Sequence, residues 1–250
     1  VINYWLAQDG SQPLQYSDQV ILGYEIQGRT YRLSLEGYAK TMNNLQVFRD
    51  TRASFDDTTA GSTANELLRP TDAVSWGGEI FGQKTRGNLT GNVSYTLSWV
   101  VKEIEGEPKY WANWDRRHEF KTTASWQFHP KWGLSATFQL GTGYPYTRML
   151  GTYIYYEPGL VKNVTIEQLP GTRNNARLPD YHRLDMSLTR RLKGKRLRGE
   201  AYINIINIYN HRNVLYIIWD TDELVIGRPA EKSELKMFPI IPSFGFRFSF

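Results

Sequence analysis

The chain has 250 residues, no cysteine and a formal charge of +5, and 14% of its residues are aromatic. Nothing in this composition indicates disorder, and the length suits one large or two small domains. The mean hydropathy of −0.51 is low, and no window approaches the roughly 20 apolar residues that a membrane-spanning helix needs. A helical membrane protein is therefore excluded. The net positive charge raises nucleic acid as a partner, but most basic residues are interspersed with acidic ones, and we expect no nucleic-acid binding.

Alternating apolar and polar side chains predict about nine full strands and an all-β, antiparallel fold. A partial strand at 1–6 and a polar loop at 7–18 precede them. The predicted strands lie at 19–27, from 31 to the polar segment at about 45–73, and at 74–84, 89–101, 120–128, 134–140, 181–191, 197–209 and 243–250.

The predicted connections alternate between short and long. The short turns are 27–30, 85–88, 129–132 and 193–196, whereas the long ones are 45–73, 102–116, 141–179 and 210–236. Soluble sandwiches do not usually keep this rhythm. It is typical of transmembrane β-barrels, which have short periplasmic turns and long extracellular loops. The sequence thus predicts such a barrel, with its carboxyl terminus on the periplasmic side.

The last predicted strand carries the strongest alternation. Its apolar face consists of Phe244, Phe246, Phe248 and Phe250, and its other face of Ser243, Gly245, Arg247 and Ser249. An exposed row of phenylalanines would promote aggregation in water but suits contact with lipid. The closing strand of a soluble β-sandwich would also have one apolar face. We expect the terminal strand to pair with the strand at 197–209.

Seven segments, in order, resemble the carboxyl-terminal part of TonB-dependent outer-membrane receptors, most closely those of the Bacteroidota. They are QVILGYE (19–25), LTGNVSYTLS (89–98), DRRH (115–118), GTGYPYT (141–147), LPDYHRLD (178–185), NIYNHRN (207–213) and FPIIPS (238–243). The resemblance implies that residues 1–250 form about 9–10 strands of a barrel of about 22 strands. The family's plug domain and TonB box are not in this sequence, so we expect the strands that complete the barrel and the plug to lie outside it.

The resemblance also implies roles for particular residues. Ser243, Gly245, Phe248 and Phe250 match the terminal signal that the barrel-assembly machinery recognises. Polar residues on the strands are expected to line the lumen and to meet the plug; they are Arg32, Glu36, Lys40, Lys121, Arg183, Asp185 and Arg247. The other expected partners are outer-membrane lipid, the TonB complex acting through the plug, and a surface lipoprotein as a further candidate.

No residue pattern indicates catalysis, a metal site or a cofactor. His118 and His182 lie near Asp115 and Asp185 without metal-ligand spacing, so hydrogen bonding at the barrel rim is the favoured interpretation. Asp50, Asp56 and Asp57 lack the spacing of a calcium loop, and no Ser-His-Asp set can be assembled. The basic run at 190–198 is interpreted as a solvated turn or a contact with anionic lipid.

The resemblance predicts an active importer in which long loops capture a scarce nutrient. The sequence does not indicate which nutrient. Two alternatives remain open at this stage: a small passive pore or adhesin barrel, and a soluble all-β module that binds glycans through its aromatic residues.

Overall fold

The computed structural model describes residues 13–48, 68–156, 164–193, 198–219 and 231–249. It contains sixteen strands, whose bounds are β1 (Tyr16–Gln27), β2 (Tyr31–Phe48), β3 (Leu68–Lys84), β4 (Leu89–Glu103), β5 (Tyr110–Trp111), β6 (His118–His129), β7 (Trp132–Gly141), β8 (Pro145–Tyr146), β9 (Met149–Tyr156), β10 (Val164–Pro170), β11 (Ala176–Arg177), β12 (Tyr181–Lys193), β13 (Arg198–Ile206), β14 (Val214–Trp219), β15 (Lys232–Lys236) and β16 (Ile241–Ser249). Within the described ranges, no helix is long and apolar enough to cross a membrane.

Nine of these strands form one antiparallel sheet in the order β1-β2-β3-β4-β6-β7-β12-β13-β16, and β5 extends it beside β4. Neighbours in the sheet follow one another along the chain, apart from loop strands inserted between them. The predicted pairing of the last strand with its predecessor is confirmed, since Tyr202 of β13 lies opposite Gly245 of β16. In the described sheet, β1 and β16 each have one edge without a partner.

Several of the predicted strand bounds need correction. The first strand begins at Tyr16, within the predicted polar loop at 7–18, rather than at 19. The segment at 45–73 is not all loop, because β2 continues to Phe48 and β3 begins at Leu68. A bulge between Met42 and Leu45, with Asn44 at φ 58°, allows β2 to continue past the break in alternation. The strand predicted to reach residue 209 ends at Ile206, because Asn207 adopts φ 56° and leaves the extended conformation. The last strand begins at Ile241 rather than at 243.

The long connections also contain regular structure that the sequence did not predict. The 141–179 segment holds the β9–β10 hairpin and the short β8–β11 pair, and the 210–236 segment holds the β14–β15 hairpin. The partial strand predicted at 1–6, the interior of the first long loop, and Phe250 lie outside the described residues.

The pairing register gives the sheet two chemically different faces. Because side chains alternate along every strand and directly opposed residues share a face, one set of positions is apolar across all nine strands. Its members include Leu22, Leu35, Trp76, Val93, Phe120, Phe138, Leu184, Ile203, Phe244, Phe246 and Phe248. We call this the apolar face, and the opposite one the polar face.

Within the part of the chain that the structure describes, no protein packs against the apolar face. Leu22 is 81% exposed and Phe244 is 82% exposed, and all twelve residues of β1 are exposed. The buried apolar residues are few and lie at the sheet end away from the short turns, among them Val100, Ile104 and Ala112. A soluble protein rarely exposes so large an apolar surface. The medium that suits this face is therefore hydrocarbon.

Aromatic side chains mark both margins of the apolar face. Near the short turns, Trp126 contacts Phe128 at 5.5 Å between ring centroids, and Arg190 lies 5.2 Å from the ring of Trp132. At the other margin, Trp76 stacks on Trp99 at 5.9 Å. Along β6, Trp126 and His118 are eight residues apart, which corresponds to about 26 Å of extended strand. This length matches the apolar band of about 25 Å, flanked by aromatic girdles, of outer-membrane barrels.

Two tyrosine–glycine pairs hold the register from the polar face. Tyr202 lies opposite Gly245, and Tyr38 lies opposite Gly77. A Cβ atom on Gly245 would overlap the ring of Tyr202, and one on Gly77 would overlap both Tyr38 and the carbonyl oxygen of Leu97. At both positions a glycine is required because a tyrosine ring occupies the space of its missing side chain.

We expect Gly245→Ala to destabilise the folded protein by about 1–3 kcal/mol, the usual cost of overpacking. The measurement is the urea midpoint of the heat-modifiable form in outer membranes. The control is Gly151→Ala, because no atom lies within 4 Å of a Cβ built there. Adding Tyr202→Ala should recover part of the loss caused by Gly245→Ala. A Gly245→Ala variant as stable as the control would show that the tyrosine ring moves away at no cost.

Candidate functional site

The polar face carries all seven residues predicted to line the lumen. Five of them take part in four ion pairs: Arg32 reaches Glu25 at 2.8 Å, Lys121 reaches Glu119 at 3.0 Å, Arg183 reaches Asp185 at 2.9 Å and Arg247 reaches Glu200 at 4.0 Å. The partners are partly exposed, so each pair contributes little to stability. The structure thus places the predicted residues on one face and spreads them over four strands, β2, β6, β12 and β16, without bringing them together into one cluster.

The centre of the polar face between β2 and β3 is acidic. Glu36 and Glu79 lie directly opposite each other, and no ion pair with either carboxylate occurs among the described residues. Like charges in directly opposed positions destabilise a sheet. Lys40 lies four residues after Glu36 on the same face of β2, and it is opposite Ser75 rather than opposite an acid.

Hydroxyl groups line the polar face near the short turns. Ser125 and Ser135 share a hydrogen bond of 2.9 Å, and Ser187 donates to Asn204 at 2.6 Å. Small side chains leave a recess of about 530 Å³ there; its lining includes Gly87, Thr90, Ser125, Gly133, Thr189 and Glu200. Arg191, from the basic run, also lines this recess, whereas Arg190 contacts Trp132 on the apolar face. Residues 194–197 of that run lie outside the described residues.

At the opposite end of the sheet, two long loops are locked together by Asp115. This residue is fully buried, and its carboxylate accepts a hydrogen bond of 2.7 Å from the backbone N–H of Val100. The same carboxylate forms an ion pair with Arg177, which belongs to the loop between β7 and β12. Arg177 also donates to the carbonyl oxygens of Asp115 and Gly143, at 3.0 and 3.1 Å. The β4–β6 and β7–β12 loops are therefore joined through one buried acid.

Asn174 adds a second connection between the same loops. It is 7% exposed and adopts φ 54°. Its side-chain amide donates to the carbonyl oxygen of Trp111 and to the side chain of Asn113, both at 2.7 Å. Its backbone N–H donates to Thr147 at 3.0 Å. Because every one of these partners is on a loop, we call the assembly of Asp115, Arg177 and Asn174 the loop lock.

Cations stacked on aromatic rings surround the loop lock. Arg117 lies 5.0 Å from the ring of Trp99 and 4.6 Å from that of Trp111, and it approaches Asp115 at 3.6 Å. Arg116 lies 4.2 Å from the ring of Tyr144. Such contacts contribute about 0.5–1 kcal/mol each when exposed and more when desolvated. They reinforce loops that have little apolar core of their own.

A third loop is organised by asparagines. Asn207 is 1% exposed; its backbone N–H donates to Asp185 at 2.8 Å, and its side-chain amide donates to the carbonyl oxygen of His211 at 2.8 Å. Asn213 donates to and accepts from the backbone of His182, both at 2.9 Å, as a neighbouring strand would. These amides complete the backbone pairing of β12 after β13 has ended.

His118 and His182 form hydrogen bonds, which was the favoured interpretation of their positions, and in both cases the partner is a tyrosine. Nδ1 of His118 lies 2.8 Å from the hydroxyl of Tyr95, and Nδ1 of His182 lies 2.9 Å from that of Tyr209. The ring of His182 also stacks on His211 at 3.8 Å. Among the described residues, no three His, Asp or Glu side chains gather as metal ligands would. Asp50, Asp56 and Asp57 lie outside the described residues.

Of the predicted terminal signal, three residues are described. Ser243 and Gly245 lie on the polar face and Phe248 on the apolar face, where it stacks on Phe246 at 6.2 Å. Phe250 is outside the described residues. The sequence contains no indication of the roles of Arg177 and Asn174, because a left-handed asparagine in a long loop has no signature in a single sequence. Asp115 was within reach of prediction, since it belongs to the DRRH segment at 115–118.

Comparison with known proteins shows similarity at the level of fold. No family model and no curated protein matches the chain. Among solved structures, the pyoverdine outer membrane receptor FpvA from Pseudomonas aeruginosa PAO1 matches with a TM-score of 0.56 at 12% identity, over 94% of this chain and 30% of that one. FpvAI in its complex with pyocin S2 matches with a TM-score of 0.56 at 12% identity, over 94% and 27%. The copper transporter OprC matches with a TM-score of 0.53 at 10% identity, over 94% and 31%.

These structures establish the fold class. The sheet is all-β and antiparallel, and it corresponds to part of the wall of an outer-membrane barrel. The chain spans about a third or less of the length of the solved structures it matches. The described sheet does not close on itself.

We expect Asp115→Asn to release the loop lock. The change leaves Arg177 without its counter-ion; breaking a buried ion pair costs about 3–5 kcal/mol, and we expect the lower end because the Arg177 side chain is 31% exposed. The measurement is limited proteolysis of residues 104–117 and 141–180 in the membrane-embedded protein. The control is Glu119→Gln, which removes a partly exposed acid that pairs with Arg116 and Lys121. Equal protection of both variants would contradict the role of Asp115.

The asparagine-rich turn at 207–213 should loosen in mild acid. The pKa of the His211 imidazole is lowered from its ordinary value of 6.5, first because desolvation disfavours the charged form and second because of the charge of His182. The unfolded chain therefore binds this proton more tightly than the folded one. The stabilisation is fully present above pH 6.5 and is lost as the pH falls through the lowered pKa.

Hydrogen–deuterium exchange of residues 207–213 at about pH 7.5 and about pH 5.5 tests this expectation. After correction for intrinsic exchange rates, protection should fall at the lower pH in the wild type. It should change much less in His211→Gln, which does not titrate. An identical loss of protection in both proteins would assign the effect to another group.

Proposed function

We propose that this chain is part of the barrel wall of a TonB-dependent outer-membrane receptor that imports a scarce nutrient. The observation that carries the proposal is the exposed apolar face bounded by two aromatic margins, in a sheet whose fold matches outer-membrane receptors. Lipid covers the apolar face, and the polar face is turned towards a hydrated lumen. No bond is made or broken by the chain, since its role is selective binding and gated passage.

In the described sheet, β1 and β16 each have one edge without a partner, and these edges support a larger barrel. In hydrocarbon, unpaired backbone groups cost several kcal/mol each, so β1 and β16 need neighbouring strands. We infer that residues 1–250 are the carboxyl-terminal portion of a barrel of about 22 strands. The remaining strands, the plug and the TonB box would be supplied by parts of the protein outside this sequence. The motif resemblance favours a receptor of the Bacteroidota type.

The polar face provides the surface for the plug. Arg32, Glu36, Lys40, Lys121, Arg183, Asp185 and Arg247 are its proposed contact residues, and the opposed Glu36 and Glu79 would accept a basic side chain from the plug. The loop lock and the hairpins lie at the sheet end opposite the short turns. This end is proposed to be extracellular, and the short turns and carboxyl terminus to be periplasmic, within reach of the barrel-assembly machinery and of TonB. A surface lipoprotein is a further proposed partner at the extracellular end.

The substrate class is open to a direct test. The matched solved structures are of a pyoverdine receptor and a copper transporter, so ferric pyoverdine and copper are the first solutes to assay, followed by cobalamin, glycans and peptides. A strain that lacks the protein should lose uptake of one solute, and dissipating the inner-membrane proton gradient should abolish that uptake in the wild type. Uptake that continues without the gradient would indicate a passive pore instead.

The orientation of the sheet makes a second prediction. These 250 residues contain no cysteine, so a single cysteine at position 35 or 36 can carry a spin label without background from this part of the protein. We expect the label of Leu35→Cys to be accessible to oxygen dissolved in lipid, and that of Glu36→Cys to a water-soluble nickel complex. The two sites are adjacent in β2, so each is the control for the other. The same accessibility at both sites would contradict a lipid-facing and a water-facing side.

A further inference from the structure

The short turns that the structure describes are all basic. They are QGRT (27–30), TRGN (85–88) and HPKW (129–132), and none contains an acidic residue. Because the sheet is antiparallel and follows the order of the chain, these turns lie side by side at one end of it. β12 reaches the same end, where the backbone N–H of Arg191 donates to the carbonyl oxygen of Lys131 at 2.8 Å. The turns therefore give this end of the sheet a positively charged edge.

Two cations at this end lie on the apolar face. Lys84 is the last residue of β3 and lies opposite Tyr31, the first residue of β2. Arg190 lies opposite Trp132, the first residue of β7. Tyr31 and Trp132 belong to the alternating apolar set of their strands, and directly opposed residues share a face. Lys84 and Arg190 are therefore on the side of the sheet that suits hydrocarbon, at its margin.

The acids of the apolar face lie at the other end of the sheet. Among the described residues of the nine strands they are Asp18, Asp72 and Glu103. All three lie beyond the aromatic margin at Trp76 and Trp99, on the side of the long loops. The apolar face thus separates its charges, with cations at the short-turn margin and acids beyond the opposite margin.

Both cationic groups extend towards the edge of the apolar face. Nζ of Lys84 lies 3.9 Å from the position that a Cβ atom on Gly87 would take, so the side chain follows the turn beyond the end of β3. Arg190 is exposed, and its guanidinium carbon lies 5.2 Å from the centroid of the Trp132 ring. Lys and Arg side chains at a membrane margin adopt this course, because the stem covers apolar surface while the charge reaches the head groups.

Neither cation has a counter-charge among the described residues. On the side away from Tyr31, Lys84 lies opposite Gly91, and on the side away from Trp132, Arg190 lies opposite Ala201. The neighbouring strands therefore offer no acid to either one. A charge at the boundary of hydrocarbon is costly unless it is paired, and a phosphate group forms strong charge-assisted hydrogen bonds with Lys and Arg. The Trp132 ring would hold the guanidinium group in position for such a bond.

We propose that Lys84 and Arg190 each bind the phosphate group of an anionic phospholipid, represented by phosphatidylglycerol, in the membrane leaflet on the short-turn side. Four strand spacings of about 4.8 Å separate β3 from β12, so the two cations contact different lipid molecules. The exposed Arg29, Arg86 and Lys131 on the turns add to the attraction of the anionic surface. The inference rests on the proposed function, because it takes the apolar face to be covered by lipid.

The test places a fluorophore on Leu188→Cys, two residues from Arg190 on the apolar face. The complete protein, with any cysteine outside these 250 residues replaced, is reconstituted into phosphatidylcholine vesicles. A minor fraction of the lipid is phosphatidylglycerol or phosphatidylcholine with a nitroxide on its acyl chain, and quenching reports which of them contacts the label. We expect phosphatidylglycerol to be preferred about fivefold at low salt, as one basic residue at a membrane surface provides, and the preference to disappear at about 1 M salt.

Arg190→Gln should reduce this preference to about equal contact with both lipids, whereas Arg190→Lys should retain it. The matched control is Arg191→Gln, because Arg191 is the next residue of β12 but lines the recess on the polar face; the preference should not change in this variant. Equal quenching by the two lipids in the wild type would overturn the proposal. A full preference that persists in Arg190→Gln would overturn it as well.

A fluorophore on Leu33→Cys tests Lys84 in the same way, because Leu33 lies opposite Gly82, two residues before Lys84 on the same face. The preference for phosphatidylglycerol at this label should be lost in Lys84→Gln and kept in Arg190→Gln. If it survives Lys84→Gln, the assignment of Lys84 is wrong.

Lipid contact in vesicles requires neither energy coupling nor a solute, so the two proposals can fail separately. An intact preference at both labels in a protein without TonB-dependent uptake would refute the proposed function and not the lipid contacts. Normal uptake together with equal quenching by both lipids would refute the lipid contacts alone.

Discussion

The need to pair every backbone N–H and C=O group in hydrocarbon is the constraint on which the rest of this structure depends. An extended antiparallel sheet satisfies it because each strand bonds to both neighbours. Once the pairing is chosen, the register decides which side chains meet lipid, and a slip of one residue would turn every side chain of a strand to the other face. The tyrosine–glycine pairs oppose such a slip, because the ring of Tyr202 occupies the space that a side chain at position 245 would need.

A different set of interactions stabilises the chain beyond the aromatic margin at Trp76 and Trp99, at the sheet end away from the short turns. There the backbone can also use water and side chains, and asparagine amides replace missing strand neighbours, as Asn213 does beside His182. Buried residues at this end include Asp115, Asn174 and Asn207, which are polar. The sheet is thus stabilised by backbone pairing in one register and by an apolar face suited to hydrocarbon, whereas the loops are stabilised by specific hydrogen bonds and ion pairs.

Much of the sheet was predictable because alternation is a direct consequence of strand geometry. The end of β1 at Gln27, the start of β2 at Tyr31 and the start of β4 at Leu89 were predicted at the right residues. Strand ends were less predictable, since β2 passes through a bulge at Asn44 and β13 is ended by the left-handed Asn207. The loop lock was beyond sequence reasoning, because its members are about 60 residues apart and their contacts depend on the order of strands in space.

The loop lock has a consequence for how such a wall can be altered. The β4–β6 and β7–β12 loops are separate in the chain, yet Arg177 of one satisfies the buried acid of the other, and Asn174 binds the backbone of Trp111. Neither loop carries a complete set of partners. Exchanging one loop for that of another barrel of this fold would leave a buried charge without its partner, so the two loops would have to be exchanged together, whether in natural diversification or in engineering.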